Sequence, residues 1–455
     1  MGSRTPLAVL ALLAALGCHK ATEDTCAPAQ EKADVLAMTR EYYLWRDELP
    51  ASVDPAASAT AEDLLAALTA RTRAEGRDRG FSYLASRAAS SRFFEEGRTL
   101  GYGFGYVTSG GTLAVAQVFP GSAADSAGFA RGDELLAVAP TRAGLDDASS
   151  QAPALVAAGT FSAALQSGVE GTTRWFRLRR PATGAVLEVA ATTGAYGLDP
   201  VPGGGTPTVL TANGVKVGYV QLRTFVEPAA PLLRAAAAAL RQAGVTRLIV
   251  DLRYNGGGRL SVAEVLGNLL SPGHADGDVM YRLKANDGHP ELGATVHFSA
   301  EAGALSLERL AFIVTGNSAS ASELVPNALQ AWPGTQVALV GERTYGKPVG
   351  QLGYADSACD WLLELVSFQI LNARGTGSYF QGLPDADWTG VTVAAADDLA
   401  HAPGDPAEAC TAAALAWAAG GTGGAPIPAA AARRAGSLSL HPRPTEAQRA
   451  LPGVF

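Results

Sequence analysis

Gly316-Asn-Ser-Ala-Ser-Ala-Ser-Glu323 lies between two segments with different patterns of apolar residues. The apolar run Leu310-Ala-Phe-Ile-Val314 before it predicts a buried strand, and Leu324-Val-Pro-Asn-Ala-Leu-Gln330 after it predicts a helix. A serine at such a junction lies beside unpaired backbone N–H groups, at the positive end of the helix dipole. The stretch therefore predicts a place to hold an oxyanion. Ser320-Ala-Ser-Glu323 also fits a helix capping box, so a purely structural role is the alternative.

A candidate base follows the next predicted strand, Val337-Ala-Leu-Val340. This strand runs into Gly341-Glu-Arg-Thr-Tyr-Gly-Lys347, and the chain has only five lysines (20, 32, 216, 284 and 347) among its 35 basic residues. Arginine keeps its proton in proteins, whereas a buried lysine can lose it and act as a base. Gln351, four residues further on, is a neutral amide that can orient an amine.

A glycine-rich loop follows a third predicted strand. Asp251-Leu-Arg-Tyr-Asn-Gly-Gly-Gly258 comes directly after the apolar run Arg247-Leu-Ile-Val250. Its glycines allow backbone amides to approach a ligand closely.

These segments resemble the signatures of the tail-specific, or C-terminal processing, serine peptidase family. The family patterns G-Y-V-x-L-x-x-F, D-L-R-x-N-G-G-G, S-A-S-A-S-E and G-E-x-T-x-G-K-x-x-x-Q all occur, in that order, from Gly218 to Gln351. The resemblance covers most of the mature chain. It implies an α/β fold, with a layered crotonase/ClpP-like protease core, a PDZ domain and a small helical N-terminal domain.

The resemblance also assigns roles to individual residues. It implies that Ser320 is the nucleophile, that Lys347 is the general base, and that Gln351 orients the lysine. The oxyanion donors implied are the backbone amides of Ala321 and Gly257. No cofactor is implied.

The chemistry of such a set is self-consistent. A hydroxyl is a poor nucleophile until a base takes its proton. A free lysine, with a pKa of ~10.4, must be desolvated towards ~7 to serve as that base. Backbone donors directed at the oxyanion stabilise the transition state by about 3 kcal/mol each.

Parts of the sequence also fit two other kinds of site. Spacing alone leaves open a Ser-His-Asp triad through His274, His289 or His297. Gly341 to Lys347 also matches most of a phosphate-binding P-loop. The next residue is Pro348, which has neither a hydroxyl for magnesium nor an N–H for a phosphate, so nucleotide binding is rejected.

The N-terminus has the pattern of a targeting segment. Residues 1–18 contain Arg4, a short apolar core from Leu7 to Leu16, and Ala15-Leu-Gly-Cys18. Ten apolar residues are too few to span a bilayer. The segment resembles a bacterial lipoprotein signal with Cys18 lipidated, and ordinary secretion is the alternative. We expect an exported, periplasmic protein tethered to a membrane through Cys18. The net charge of −8 argues against nucleic acid as a partner.

Three cysteines remain after Cys18, namely Cys26, Cys359 and Cys410. Export permits disulfides, and Cys359–Cys410 is the preferred pair because both lie in the terminal part of the core. None of the cysteines has metal-site spacing, so no metal is expected.

Composition and patterning divide the rest of the chain. With 455 residues, the chain is long enough for two or three domains. We expect a linker at 19–33, a helical domain at 34–95 and the peptidase core at 208–419. Within the helical domain, a helix is predicted from Ala61 to Arg73, with Thr60 as its N-cap. The Gly-, Pro- and Ala-rich segment 420–455 is expected to be disordered.

Residues 99–190 resemble a PDZ domain. Gly101-Tyr102-Gly103-Phe104 matches its carboxylate-binding loop, and Leu113 to Val118 follows as a predicted strand. Glycines leave the loop amides free to bind a terminal carboxylate, while the peptide adds to a sheet edge. The expected groove helix spans Phe161 to Gln166. An insertion at 140–158 departs from a minimal PDZ domain.

The sequence thus predicts an exported serine endopeptidase that acts on proteins presented by its PDZ domain, with apolar C-termini as expected ligands. A noncatalytic PDZ peptide-binding scaffold on a degenerate protease fold is the alternative. A binder of hydrophobic small ligands on the same fold is a second one.

Overall fold

The computed structural model describes residues 27–109, 112–275, 277–356 and 359–428. The predicted signal segment with Cys18, and most of the predicted disordered tail, lie outside the described residues. No helix within the described ranges is both long and apolar enough to cross a membrane.

The N-terminal part is mainly helical. Its elements are α1 (Pro28–Tyr42), α2 (Ala61–Leu68), α3 (Ala70–Ala74), β1 (Tyr83–Ser86) and α4 (Arg87–Phe94). Thr60 caps α2 as predicted, since its side chain accepts a hydrogen bond from the Asp63 N–H.

Two predictions for this part were wrong in their boundaries. The first helix begins at Pro28, inside the segment 19–33 that was predicted as a linker. A proline at the start of a helix is favourable because its missing N–H would have no intrahelical partner there. The helix predicted from Ala61 to Arg73 is two helices, which are divided at Thr69.

The next part is an antiparallel sheet in the order β3-β4-β5-β6-β7. A two-stranded ribbon of β2 and β8 connects it to the flanking segments. The strands are β2 (Arg98–Gly101), β3 (Phe104–Ser109), β4 (Thr112–Val118), β5 (Glu134–Ala139), β6 (Thr173–Arg180), β7 (Ala185–Thr192) and β8 (Gly194–Gly197); the helices are α5 (Ala123–Ser126), α6 (Ala152–Ala157) and α7 (Phe161–Leu165).

A six-stranded sheet forms the centre of the third part. Its order is β18-β15-β14-β11-β10-β9, and only the pairing of β9 with β10 is antiparallel. The strands are β9 (Thr208–Ala212), β10 (Val215–Gln221), β11 (Arg247–Asp251), β14 (Arg309–Val314), β15 (Gln336–Gly341) and β18 (Val391–Ala394).

Helices cover both faces of this sheet. Side chains of β14 alternate between them: Leu310, Phe312 and Val314 pack on one face, whereas Ala311 and Ile313 pack on the other. The first face is covered by α8 (Ala229–Gln242), α9 (Leu260–Leu270) and α10 (Ala321–Leu329), and the second by α11 (Ala409–Ala418). The core is therefore the layered α/β arrangement that the sequence predicts.

A second sheet packs beside the first and reaches the N-terminal part. Its order is β1-β17-β12-β13, and β16 also pairs with β17. These strands are β12 (Val279–Ala285), β13 (Ala294–His297), β16 (Val349–Tyr354) and β17 (Trp361–Asn372). Because β1 joins this sheet, the N-terminal part shares one hydrophobic cluster with Ala319, Tyr345 and Val349, which lie within two residues of the catalytic candidates.

The predicted disulfide Cys359–Cys410 is wrong. Cys359 is disulfide-bonded, but Cys410 is a free, buried thiol. The two residues lie in different hydrophobic clusters: Cys359 packs with the N-terminal part, and Cys410 packs under the six-stranded sheet. Burial raises the pKa of the Cys410 thiol.

One guanidinium anchors the end of β11. Arg253 is fully buried and forms ion pairs with Asp251, Asp397 and Glu408. Asp251 also accepts from the Tyr219 hydroxyl at 2.7 Å. Because Arg253 lies inside the predicted glycine-rich loop, this network fixes where that loop leaves the sheet.

We expect Arg253→Met to lower the free energy of unfolding by about 3–5 kcal/mol, since Asp251 and Glu408 would remain buried without their partner. Arg247→Met is the matched control at the other end of β11. Arg247 pairs with the exposed Glu308 carboxylate, so its loss should cost less than about 1 kcal/mol. Urea unfolding of both variants measures the difference, and equal midpoints would show that the network adds nothing.

Candidate active site

The two loops that the sequence singles out meet at one edge of the six-stranded sheet. Strands β11 and β14 are parallel neighbours, with Asp251 opposite Ile313. The loop at 252–258 and the loop at 315–320 leave the same ends of these strands. In open α/β sheets, ligands bind outside the carboxyl ends of the strands.

Hydrogen bonds join the two loops. The Ser318 hydroxyl donates to Leu252 O at 2.7 Å, and the Ser322 hydroxyl donates to Asn255 O at 2.8 Å. The Ala319 N–H also donates to Asn255 O. The serines on either side of Ser320 are thus structural, because both are fully buried and committed to the neighbouring loop.

Ser320 has a backbone conformation that is unusual for a residue with a side chain. It precedes α10 with φ +56° and ψ −115°, and it is 9% exposed. Such strained values are sparsely populated and cluster at functional sites. The strain turns the chain sharply from β14 into α10 while the serine remains at the surface of a cavity.

Glu323 binds both candidate segments. Its buried carboxylate accepts from the N–H of Ser320 at 2.9 Å, and Ser320 and Glu323 together form the predicted capping box. It also accepts from the N–H of Gly346 at 2.7 Å, from the N–H of Lys347 at 2.8 Å, and from the Thr344 hydroxyl. Desolvation raises the pKa of Glu323, and these donors oppose that change. One carboxylate therefore fixes the nucleophile candidate relative to the base candidate.

Lys347 is buried, at 4% exposure. Its Nζ lies 5.1 Å from the centre of the Phe81 ring. Desolvation lowers the pKa of Lys347 to about 8, although the carboxylates of Glu364, Asp78 and Glu323 act in the opposite direction. The environment is the dry pocket that a lysine base requires.

Ser320 and Lys347 line the same cavity, whose volume is about 330 Å³. Gln351 and Glu364 also reach it, and burial raises the pKa of the Glu364 carboxyl. The rest of the wall is largely apolar and includes Leu260, Leu283, Leu352, Phe368 and Ile370. An apolar cavity with a few convergent polar groups is the usual form of a ligand site.

Gln351 is placed by the N-terminal part of the chain. It lies on β16, and its side-chain amide donates to Phe81 O at 3.0 Å. The ring of Phe81 faces Lys347. Gln351 thus lies in the lysine pocket with a fixed orientation.

The structure corrects one predicted oxyanion donor. The Gly257 N–H donates to Asn255 Oδ1 at 2.9 Å, so this amide is already paired. Its neighbour Gly258 forms a parallel bridge with Phe225 and lines the cavity. In such a bridge the flanking residues make both hydrogen bonds, which turns the Gly258 N–H away from Phe225.

The second predicted donor, the Ala321 N–H, is the first amide of α10, and such amides have no partner within the helix. Gly257 packs directly beside it, because a Cβ at Gly257 would lie 2.9 Å from Ala321 N and 2.8 Å from Ser320 Cβ. A glycine is required there for the loops to approach.

The three histidines that spacing left open do not line this cavity. His274 contacts Asp278, His289 contacts Glu41 and Glu291, and His297 contacts Gly277 O. Among the described residues, no group of histidines, cysteines and carboxylates could hold a metal ion.

Two residues of the site were missed in the sequence. Glu364 follows no motif, and only its place on the long apolar strand β17 could have drawn attention to it. Arg79 donates to the carbonyls of Tyr345 and Gly346 from more than 260 residues away in the chain. No local pattern could have predicted that contact.

Two protein-family models match parts of this chain. Residues 216–385 match the family model "Peptidase family S41", and residues 30–83 match the model "Peptidase S41 N-terminal domain". The chain belongs to peptidase family S41. The first match contains Ser320, Lys347 and Gln351, and the second contains Arg79 and Phe81.

Relatives of this S41 chain include named processing enzymes. It is 30% identical over 238 residues to a carboxyl-terminal-processing protease of Picosynechococcus sp., covering 52% of this chain and 50% of that protein. It is 30% identical over 252 residues to carboxyl-terminal-processing peptidase 1, chloroplastic, of Arabidopsis thaliana, covering 53% and 45%. The chain thus spans about half the length of the relatives it matches.

Solved structures show the same fold over more of the chain. An S41 protease from Bacteroides fragilis superposes with a TM-score of 0.64 at 23% identity, covering 84% of this chain and 96% of that one. The photosystem II D1 C-terminal processing protease gives 0.53 at 19% identity, covering 87% and 99%.

The lysine environment gives a direct test. With lysines labelled by ¹⁵N, we expect one side-chain resonance to titrate near pH 8, because desolvation disfavours the charged form of Lys347. NMR detection of the side-chain nitrogens as a function of pH measures this titration. The transition near pH 8 should disappear in Lys347→Met but remain in the control Lys284→Met. Titration of every lysine above pH 10 would contradict the dry pocket.

Proposed function

We propose that this S41 protein is a serine endopeptidase in which Ser320 is the nucleophile and Lys347 is the general base. The observation that carries the proposal is the shared cavity, which is lined both by Ser320 and by Lys347, a buried lysine with a lowered pKa. The named activities of its relatives support the same reaction class.

The proposed first step is acylation. Neutral Lys347 takes the proton of the Ser320 hydroxyl, and the serine oxygen attacks the peptide carbonyl carbon. With a pKa of about 8, roughly a tenth of the lysine is neutral at pH 7. The lysine ammonium then gives its proton to the departing amine. Water attacks the acyl-enzyme by the same route, with Lys347 again as the base.

We assign the oxyanion site to the backbone amides of Ala321 and Gly258. The Ala321 N–H is the first amide of α10, and Gly258 lines the cavity with its amide directed away from Phe225. Each preorganised donor of this kind contributes about 3 kcal/mol to transition-state stabilisation. Gly258 must be glycine, because a Cβ there would lie 2.3 Å from Phe225 O.

We further propose that the sheet of β3 to β7 is a PDZ domain that binds apolar peptide C-termini. Among the described strands, the edge strand β3 pairs only with β4, so its other side can accept a peptide strand. The loop before it is held open by Gly101 and Gly103, both with positive φ. Helix α7 lies across from β3, with Phe161 packed edge-on against Tyr106.

The loop from Gly101 to Phe104 is rigid enough to serve as a carboxylate site. Gly103 O accepts from the Phe119 N–H and from the Ser122 hydroxyl, and Tyr102 O accepts from the Ala124 N–H. The Tyr102 hydroxyl donates to Leu165 O at the end of α7. These contacts fix the loop relative to the groove helix before a peptide arrives.

We propose export as the cellular setting, with lipidation of Cys18 as the anchor and proteins of the periplasm as substrates. The support for this is the signal-like pattern of residues 1–18.

Proteolysis is tested with casein and with a fluorogenic peptide. We expect Ser320→Ala and Lys347→Ala each to lower kcat by more than about a thousandfold, since nucleophile and base act as one unit. Lys284→Ala is the control on β12 and should keep full activity. Equal hydrolysis by wild type and Ser320→Ala refutes the nucleophile. Peptide binding without hydrolysis by any form would instead support a noncatalytic scaffold.

Peptide capture is tested on full-length Ser320→Ala, which should bind without cleaving. We expect a peptide with an apolar C-terminus to bind at least about tenfold more tightly than its C-terminal amide, because the amide removes the charge that the loop recognises. Fluorescence anisotropy measures both affinities. Equal affinities would contradict a carboxylate-binding loop at Gly101 to Phe104.

A further inference from the structure

A short segment of the N-terminal part, residues 78–82, forms one wall of the lysine pocket. Phe81 is fully buried, places its ring 5.1 Å from Lys347 Nζ, and accepts from Gln351 through its carbonyl. The segment lies outside the region 216–385 that contains the nucleophile and base.

The segment is itself held rigidly. Asp78 is fully buried and accepts from the Ser82 N–H, from the Ser82 hydroxyl and from the Tyr43 hydroxyl. The Ser82 hydroxyl in turn accepts from the Val366 N–H on β17 at 3.1 Å. The segment is thereby fixed both to Tyr43, the residue that follows α1, and to the sheet that carries Gln351.

Arg79 contacts the loop that carries the base. Its guanidinium donates to Tyr345 O at 3.0 Å and to Gly346 O, and it stacks 4.2 Å above the Tyr345 ring. The peptide group between Gly346 and Lys347 is therefore held from both ends. Arg79 binds its carbonyl, while Glu323 accepts its N–H at 2.8 Å.

We propose that Arg79 is a positioning residue for Lys347, which makes residues 78–82 a required part of the active site. The proposal rests on the Ser320/Lys347 function given above. A cation on the carbonyl and a carboxylate on the N–H prevent rotation of that peptide group, so the lysine side chain leaves the backbone in one direction. Small errors in the position of a catalytic group cost large factors in rate.

The charge of Arg79 has a second effect. Three carboxylates face Lys347: Glu364 from β17, Asp78 from the segment itself, and Glu323 from α10. All three favour the protonated amine, whereas Arg79 is a cation that favours the neutral one. Removing this cation should raise the pKa of Lys347 and leave less of the free base at a given pH.

The test compares Arg79→Gln, Arg79→Lys and the matched control Arg77→Gln. Arg77 lies two residues away and stacks on Trp45 at 4.8 Å, but its ion pairs are with Glu48 and Glu75 on the outside. The measurements are the pH profile of kcat/KM, the separate kcat and KM values, and the ¹⁵N titration of Lys347.

For Arg79→Gln we expect kcat to fall at least about tenfold with little change in KM, since the chemical step and not substrate binding depends on the lysine. The acidic limb of the pH profile should move upward by about half a pH unit or more, and the Lys347 resonance should move with it. Arg79→Lys keeps the charge without the forked donors, so its kcat should fall while its acidic limb stays in place. Arg77→Gln should match the wild type in all three measurements.

The proposal would be overturned if Arg79→Gln had the same kcat and the same pH profile of kcat/KM as the wild type. It would also be overturned if Arg77→Gln lowered kcat and moved the acidic limb as much as Arg79→Gln does. Should Arg79→Gln fail to fold, Arg79→Lys decides: unchanged kcat in that variant counts against positioning. The titration of Lys347 does not depend on hydrolysis. If the wild-type protein had no activity that depends on Ser320, the proposed function would be refuted. The effect of Arg79 on the pKa of Lys347 would still be measurable by the ¹⁵N titration.

Discussion

The active site depends on one buried carboxylate that serves two segments of the chain. Glu323 accepts from the N–H of Ser320 on one side and from the N–H groups of Gly346 and Lys347 on the other. Burying an ionised carboxylate is costly unless it is fully hydrogen-bonded, and here four donors surround it. The need to satisfy that charge, together with the hydrogen bond from the Tyr345 N–H to Ser318 O, holds Ser320 and Lys347, the proposed nucleophile and base, in fixed relative positions.

Buried charged groups with fully formed partners also hold the start of the glycine-rich loop. Arg253 has no exposed surface and forms ion pairs with Asp251, Asp397 and Glu408. Asp397 also binds Arg131, which belongs to the part of the chain that carries β3 to β7. The loop amides near Ser320 are thus held by charges contributed from three separate parts of the sequence. Backbone N–H groups keep a fixed orientation towards a ligand only if the loop that carries them is rigid.

Much of the core could be predicted from local patterns. The change from an apolar run to a helical repeat placed Ser320 between β14 and α10, and the scarcity of lysine drew attention to Lys347. The predictions that failed depended on contacts between residues far apart in the chain or on the positions of side chains. The Asn255 side chain accepts from the Gly257 N–H, a contact that the order of residues in the loop does not reveal. The disulfide prediction failed because nearness to the end of the chain does not reveal which hydrophobic cluster a cysteine joins. Likewise, Arg79 reaches Gly346 only because β1 pairs with β17.

The strained backbone of Ser320 has a consequence for how such chains change over evolutionary time. A residue other than glycine held at φ +56° and ψ −115° costs roughly 1–3 kcal/mol of folding free energy. Glycine would relieve that cost at once and would leave the surrounding loops undisturbed. A related protein that no longer needs the Ser320 hydroxyl would therefore become more stable by replacing this serine with glycine. Retention of the serine among related proteins would then indicate that its hydroxyl is still required.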